Sequence, residues 1–315
     1  MPNYNGVWSL STQYQNADTW NSDNPNAAVG LFMGGSGSDG NSVNIMEFII
    51  IGTAGNVTDF GDLSVARASA GSLGSSSRGV LGGGSTGDGS NASNVIDFVV
   101  FSTTGNASDF GDLSGTRKAL AANSSETRGI FGGGSGRTDT MEYITIASAG
   151  NVTDFGNLTA AKNDLSATSN TTRGVFAGGN TGSTTNVIEY VTIANTGNGA
   201  DFGDLAAARG DLTGLASSTR GVFAAGARTN RIEYITIAST GNTTDFGDLN
   251  NAINAPASFA SKVRGIIGGG DTSSARINVI DFITIATTAN ATDFGDLSAI
   301  RSTTQGCSNA HGGLA

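Results

Sequence analysis

The chain of 315 residues carries 48 glycines, about twice the usual share of roughly 7%, which excludes a mostly helical protein. Lys+Arg 16 against Asp+Glu 26 leaves a formal charge of -10, so clustered cations for a phosphate backbone are lacking and nucleic acid is not an expected partner. A single cysteine, Cys307, and a single histidine, His311, exclude an internal disulfide and a Cys/His zinc site and make a Ser-His-Asp hydrolase a poor reading; no metal or cofactor is expected.

Residues 1–25 differ in composition from the rest of the chain and hold both tryptophans, Trp8 and Trp20. MPNYNGVWSLSTQYQ has neither the basic stretch nor the apolar core of a signal peptide. No later run approaches the roughly 18 apolar residues that span a bilayer, so membrane insertion is not expected. Val7, Trp8, Leu10, Tyr14 and Trp20 are read as a docking segment, and residues 26–315 as the folded body.

From Val29 onward the chain repeats. Asp-Phe-Gly begins at Asp59, Asp109, Asp154, Asp201, Asp245 and Asp293. In step with it run an apolar segment ending in small residues (VGLFMGG, RGVLGGG, RGIFGGG, RGVFAGG, RGVFAAG, RGIIGGG) and one acid per copy: Glu47, Asp97, Glu142, Glu189, Glu233 and Asp281. Six units of this length, with short β-branched runs between Gly, Asn, Ser and Asp clusters, predict four strands each. In the fourth unit strand B is expected at Gly174–Gly178, C at Val187–Ala194 and D at Ala200–Leu205, with strand A of the next unit inside residues 211–219. Strand C is apolar on both faces, Val187, Val191 and Ile193 against Ile188 and Tyr190, so both faces must be covered by neighbouring sheets.

Such units predict an all-β, six-bladed β-propeller with four antiparallel strands per blade. The apolar strand ending in Gly178-Gly179, the pair Glu189-Tyr190, then Phe202 and Arg209 resemble the kelch repeat, with Phe202 where kelch usually has Trp. The first unit begins at strand B, whereas a surplus strand A–like segment, Ser302–His311, comes after the last unit. The C-terminal strand is therefore expected to complete the first blade and close the ring, which removes an exposed edge.

The cations form two sets. Arg78, Arg128, Arg173, Arg220 and Arg264 precede strand B and are expected near the triplet aspartates; Arg67, Arg117, Lys162, Arg209 and Arg301 come after strand D and are expected near the strand C acids. Inter-blade ion pairing is favoured over an anion or sialic-acid site, because the positions repeat. Val29 stands where the first blade would carry its arginine, and His311 is expected to replace that cation near Asp59. The triplets are read as structural, with Phe as core and Gly for backbone shape. The second acids, Asp62, Asp112, Asp204, Asp248 and Asp296, with Asn157 in the third copy, are read as turn formers in preference to calcium ligands.

Specificity is assigned to the B-to-C connections, since the C-to-D connections are near copies. The candidate contact residues are Asp39, Asn41, Asp88, Asn91, Arg137, Asp139, Asn180, Thr181, Arg228, Asn230, Asp271 and Arg276. Loops held on one face of a rigid scaffold suit partner binding, and their Asn, Asp, Ser, Thr and Arg content suits carbohydrate hydroxyls.

The stretch GVWSLSTQYQNADTW, together with the Gly-Asn-x-Thr-Asp-Phe-Gly units, resembles virion structural and tail-fibre proteins of tailed, marine-type bacteriophages. The resemblance implies a non-enzymatic virion component, in the tail or another exposed appendage, made in the host cytoplasm. The partners it implies are other virion proteins, further copies of the chain itself, and a host-surface glycan or protein at the B-to-C face. A capsid-decorating or head-fibre protein is the alternative within that class, and a polysaccharide-degrading or sialidase-like propeller is the alternative outside it.

Overall fold

The computed structural model describes residues 28–314. Every sheet has the four antiparallel strands A to D, and the innermost strands pack side by side around a central axis, so the body is a closed six-bladed propeller. No α-helix occurs among the described residues. The fourth blade has its strands at Ser166–Ser169, Arg173–Ala177, Val187–Thr192 and Ala200–Asp204, within two residues of the expected bounds where these were placed. Blade 2 carries in addition a two-residue strand, Ser85–Thr86, that pairs with its long strand C, Asn91–Val100.

Closure occurs as the repeat demands. Strand A of blade 1 is Gln305–Ser308, from the far end of the chain, and it pairs with Val29–Met33 in the register Gly30↔Ser308 to Met33↔Gln305. Strands C and D of that blade are Ile45–Ile50 and Thr58–Asp62. The ring is thus sealed by four residue pairs in which the partners are separated by most of the chain.

The core is six apolar layers between blades. In blade 4, Ile188 packs toward blade 5 with Phe223 and Ile235, whereas Val191 and Ile193 pack toward blade 3 with Ile130, Met141 and Phe155. The two-sided strand C of the sequence therefore has its physical cause: each blade is a filling between two others. Close stacking also needs relief on strand B. Leu73, Asn123, Thr168, Leu215, Phe259 and Cys307, one from each strand A, lie against Gly129, Gly174, Gly221, Gly265, Gly30 and Gly79 of the following blade. A Cβ on those glycines would meet the opposing side chain.

The Asp-Phe-Gly triplet is a β-bulge. Glu189 pairs with Asp201 and Ile188 with Gly203, which leaves Phe202 as the extra residue, and the same shift recurs in all six blades. A bulge re-aims a side chain; here it turns the Phe inward, edge-on to the strand C aromatic, as in Tyr190–Phe202 at 5.9 Å. The Gly after each Phe has φ between 139° and 152°. A Cβ there would overlap the C-to-D loop of the next blade, at Gly105, Gly150, Gly197, Gly241, Ala289 and Gly55.

Those loops dock on the outer strand. Gly197 N–H donates to Phe155 O at 2.7 Å, Gly199 N–H donates to Asn157 O at 2.7 Å, and Asn198 Oδ1 accepts from Asn157 N–H at 3.0 Å. The Asn contact recurs with Asn56, Asn106, Asn151, Asn242 and Asn290. The C-to-D loops are near-identical because all six do the same thing. Each covers the exposed edge of the preceding blade, the surface that otherwise invites pairing with another chain.

Candidate functional site

Of the two sets of cations, the one after strand D behaves as expected. Arg67 pairs with Asp97 and Lys162 with Glu189, each at 2.5 Å, and Arg209 pairs with Glu233 at 2.7 Å. Arg117–Glu142 and Arg301–Glu47 complete the set. Each pair joins one blade to the strand C acid of the next, and Arg301–Glu47 locks blade 6 to blade 1. The side chains are buried, and desolvation pulls the guanidinia of Arg67, Arg117, Arg209 and Arg301 below their ordinary value against the opposing pull of the carboxylates. The exception is the joint of blades 5 and 6, where Ile253 replaces the cation. There Asn250 Nδ2 donates to Asp281 at 2.6 Å, and burial raises the Asp281 carboxyl despite those bonds.

The set before strand B differs from expectation. Arg78, Arg128, Arg173, Arg220 and Arg264 lie 4.1–4.7 Å over the strand C rings of Phe98, Tyr143, Tyr190, Tyr234 and Phe282. Their Nη1 donates to carbonyls of the next blade, as in Arg173 to Ile237 O at 2.9 Å. The triplet aspartates point to solvent, because the bulge that buries each Phe turns its neighbour outward. Among the described residues no ion pair joins the two sets. The expectation for His311 falls with it: its Nε2 lies 2.9 Å from Gly74 O at the axis, far from a solvent-facing role beside Asp59.

The six B-to-C loops share one end of the ring with the starts of the A strands. Backbone bridges show it directly: Ala68 with Ser85, Asn163 with Asn180, Asn254 with Asp271 and Ser302 with Ser36. Many of the candidate loop side chains shape their own turns. Asp39 accepts from Asn41 Nδ2 at 2.7 Å, which holds its carboxyl below the usual range. Asp88 accepts from Ser90 N–H, Asn180 from Gly182 N–H, and Thr181 donates to Ser183 O. Arg276 is tied to Ser302 and Ser36 across the blade 6–blade 1 joint. Asn91 and Asn230 are exposed and Asp139 is half-buried. Loops 5 and 6 meet through the exposed Arg228 and the half-buried Asp271 at 3.8 Å. The docking candidates Val7, Trp8, Leu10, Tyr14 and Trp20 lie outside the described residues.

Between the loops opens the central channel, and its rim is built from positions that sequence reasoning missed. Ten residues after each triplet aspartate stand Ser69, Ala119, Asp164, Asp211, Ala255 and Thr303. All six have φ between 49° and 57°, a left-handed conformation unusual for residues other than glycine. Each donates its N–H to the carbonyl of its counterpart in the preceding blade, from Ala119 to Ser69 (2.7 Å) round to Ser69 to Thr303 (3.0 Å). The rim is a closed circle of six backbone hydrogen bonds. Only the equal spacing could have revealed it, since the residue types are unlike.

Those unlike side chains make the rim asymmetric. Asp164 and Asp211 are adjacent members of the circle and line the same cavity of about 110 Å3 with Ser69, Thr303 and Gln305. Burial, then the charge of Asp211, pushes the Asp164 carboxyl up to about 6, with Arg137 of loop 3 pulling against them. Burial also raises Asp211, opposed by Arg228 and reinforced by Asp271. Residues of the loops of blades 3, 5 and 6 thus act on the acidic pair, whereas the side chains of Asp39, Asn41 and Asp88 bond within their own turns.

Chemically the mouth offers hydrogen-bond partners, an acidic pair and flanking guanidinia. No group of three or more His, Cys, Asp or Glu able to hold a metal ion occurs among the described residues. Comparison with protein-family models and with curated proteins returns no match.

Proposed function

We propose that this propeller is a non-enzymatic structural protein of a tailed bacteriophage virion, part of a tail fibre or related appendage, whose B-to-C face contacts the host surface. One observation carries the reading on the binding face. Nearly every repeated charged position that is buried is spent on holding blades together, whereas the unlike residues gather at the end where the channel opens. A rigid ring presenting variable polar loops suits recognition of hydroxyl-rich or protein surfaces. The sequence resemblance to phage tail and virion proteins supplies the biological setting, and residues 1–25 the attachment to neighbouring virion proteins. Immunogold labelling of intact particles tests the location: label on the tail or its appendages supports the proposal, label on the head favours a capsid-decorating role, and none overturns both.

A second reading is favoured by the Asp164–Asp211 pair. Glycoside hydrolysis uses two carboxyl groups in unlike environments, one of them with a raised pKa to act as acid, and this pair is the part of the rim that breaks the repeat. Release of reducing ends from host polysaccharide, abolished in Asp164→Asn, would establish an enzyme; no release with retained binding leaves the recognition role.

A further inference from the structure

The two ends of the channel are unlike. Beyond strand A of blade 1 the chain turns across the axis at the end opposite the loops, and residues 309–314 lie over the A-to-B turns of other blades. Val29 N–H donates to Asn309 Oδ1 at 2.8 Å, which fixes the departure of the segment from blade 1. His311 Nε2 lies 2.9 Å from Gly74 O of blade 2 and 3.4 Å from Ser124 Oγ of blade 3. Gly312 sits against the carbonyls of Ser217 in blade 5 and Ser169 in blade 4, and Gly313 against that of Ser124, so close that a Cβ on either would collide. Five of the six blades are bridged by this stretch.

The imidazole is the pin of the bridge. Its Nδ1 accepts from Gly313 N–H at 3.1 Å, so the proton must be on Nε2, where it reaches the Gly74 carbonyl. The acceptor role of Nδ1 commits the ring to the neutral form, whereas the Nε2 contact with Gly74 O would survive protonation. A protonated ring has two donors and no acceptor, and would set one N–H against the N–H of Gly313. Among the described residues the one charged side chain that acts on the ring is Glu126, which favours the protonated form and itself holds Ser76 Oγ at 2.6 Å and Ser76 N–H at 3.0 Å.

We infer that residues 309–314 form an acid-released stopper: neutral His311 holds the axial end of the channel shut and clasps blade 1 to its neighbours, and protonation of the imidazole frees the segment. This goes beyond the recognition role and does not depend on it. Burial of the ring pulls its titration below the ordinary 6.5. The sign is fixed by that direction: the clasp contributes its full stability above about 6.5 and loses it as pH falls through the depressed folded-state value.

The chain has one histidine, so proton–carbon NMR of the imidazole in the full-length protein reads its titration without ambiguity. A midpoint below 6.5 with the Nε2–H tautomer at neutral pH is the expected result; a midpoint at or above 6.5 overturns the proposal. Hydrogen exchange, corrected for intrinsic rates, should show opening of residues 311–314 rising by up to about tenfold per pH unit between about 6.5 and that midpoint and levelling off below it, with the blade strands unchanged. His311→Gln keeps a donor and an acceptor without titrating, and its exchange should be independent of pH. Equal pH dependence in wild type and His311→Gln would overturn the stopper, as would constant protection in the wild type. Should His311→Gln fold poorly, Glu126→Gln provides the second reading: loss of the one facing carboxylate should move the imidazole midpoint lower still, and an unmoved or raised midpoint counts against the proposal.

Discussion

The two faces of the ring obey different rules. The C-to-D loops are close copies of one another, because each loop must fit the bulge and edge of its neighbour. At the other end the backbone is equally regular, with its circle of six hydrogen bonds, while the side chains on that circle and on the loops above it are unlike. Near-repetition therefore marks the joints between blades, broken at Ile253, and variety the end that bears the B-to-C loops.

Removing the joint that closes the ring should produce the largest effect. Deletion of residues 302–315 takes away strand A of blade 1, Arg276's partner Ser302 and the axial clasp. Cooperative thermal unfolding should be lost or the protein should associate through the opened edge; a monomer with unchanged unfolding would show that closure does not depend on the terminal strand. Next comes Arg301→Met. It strands the buried Glu47 carboxylate, and losses of about 3–5 kcal/mol are typical when one partner of a buried pair is removed. The double change Arg301→Met with Glu47→Leu should recover much of that loss in denaturant unfolding, which separates the pair's net worth from the cost of orphaning one charge.

A smaller change of opposite sign is expected at Asn123. Its amide is buried against Gly174 without a hydrogen-bond partner among the described residues, whereas the equivalent residues of blades 2 and 5 are Leu73 and Leu215. Asn123→Leu should stabilise by about 1–2 kcal/mol, the cost of an unsatisfied polar group, measured as a rise in the denaturant midpoint at constant slope. Asp164→Asn sharpens the contrast through pH. The wild-type carboxyl is raised to about 6, so its penalty is absent below the unfolded value near 3.8 and grows as pH rises to about 6. The variant should therefore gain melting temperature at neutral pH and show no gain in acid. At the low end, Arg137→Ala and Arg228→Ala should alter stability by no more than about 0.5 kcal/mol. The same variants should weaken any binding to host-surface material, read by retention of cells or polysaccharide; unchanged retention would move recognition away from this sector.

Much of the architecture was legible because the chain carries its own internal alignment. Six copies of Asp-Phe-Gly, with a surplus strand at the end, gave number and closure, and the eight-residue offset from triplet to cation gave the ion pairs of Arg67, Arg117, Lys162, Arg209 and Arg301. The role of Arg173 and its equivalents was not legible. Strand polarity tells which end of a blade a residue occupies, but not whether its side chain turns over the adjacent strand or toward solvent, and the bulge that exposes Asp201 is invisible until the register is known. The rim escaped for another reason. Left-handed backbone is ordinarily advertised by glycine, yet here it is imposed by hydrogen bonds between blades on Ser, Ala, Asp and Thr. Asp164 and Asp211 therefore looked like connecting residues of no consequence.

The substitution of Ile253 for a cation gives the molecule a seam. Five interfaces are bolted by buried charge, and the one between blades 5 and 6 is fastened at that point by amide hydrogen bonds to Asp281. Under mechanical load strain would concentrate there, so that the ring would yield at a fixed place while its other junctions held.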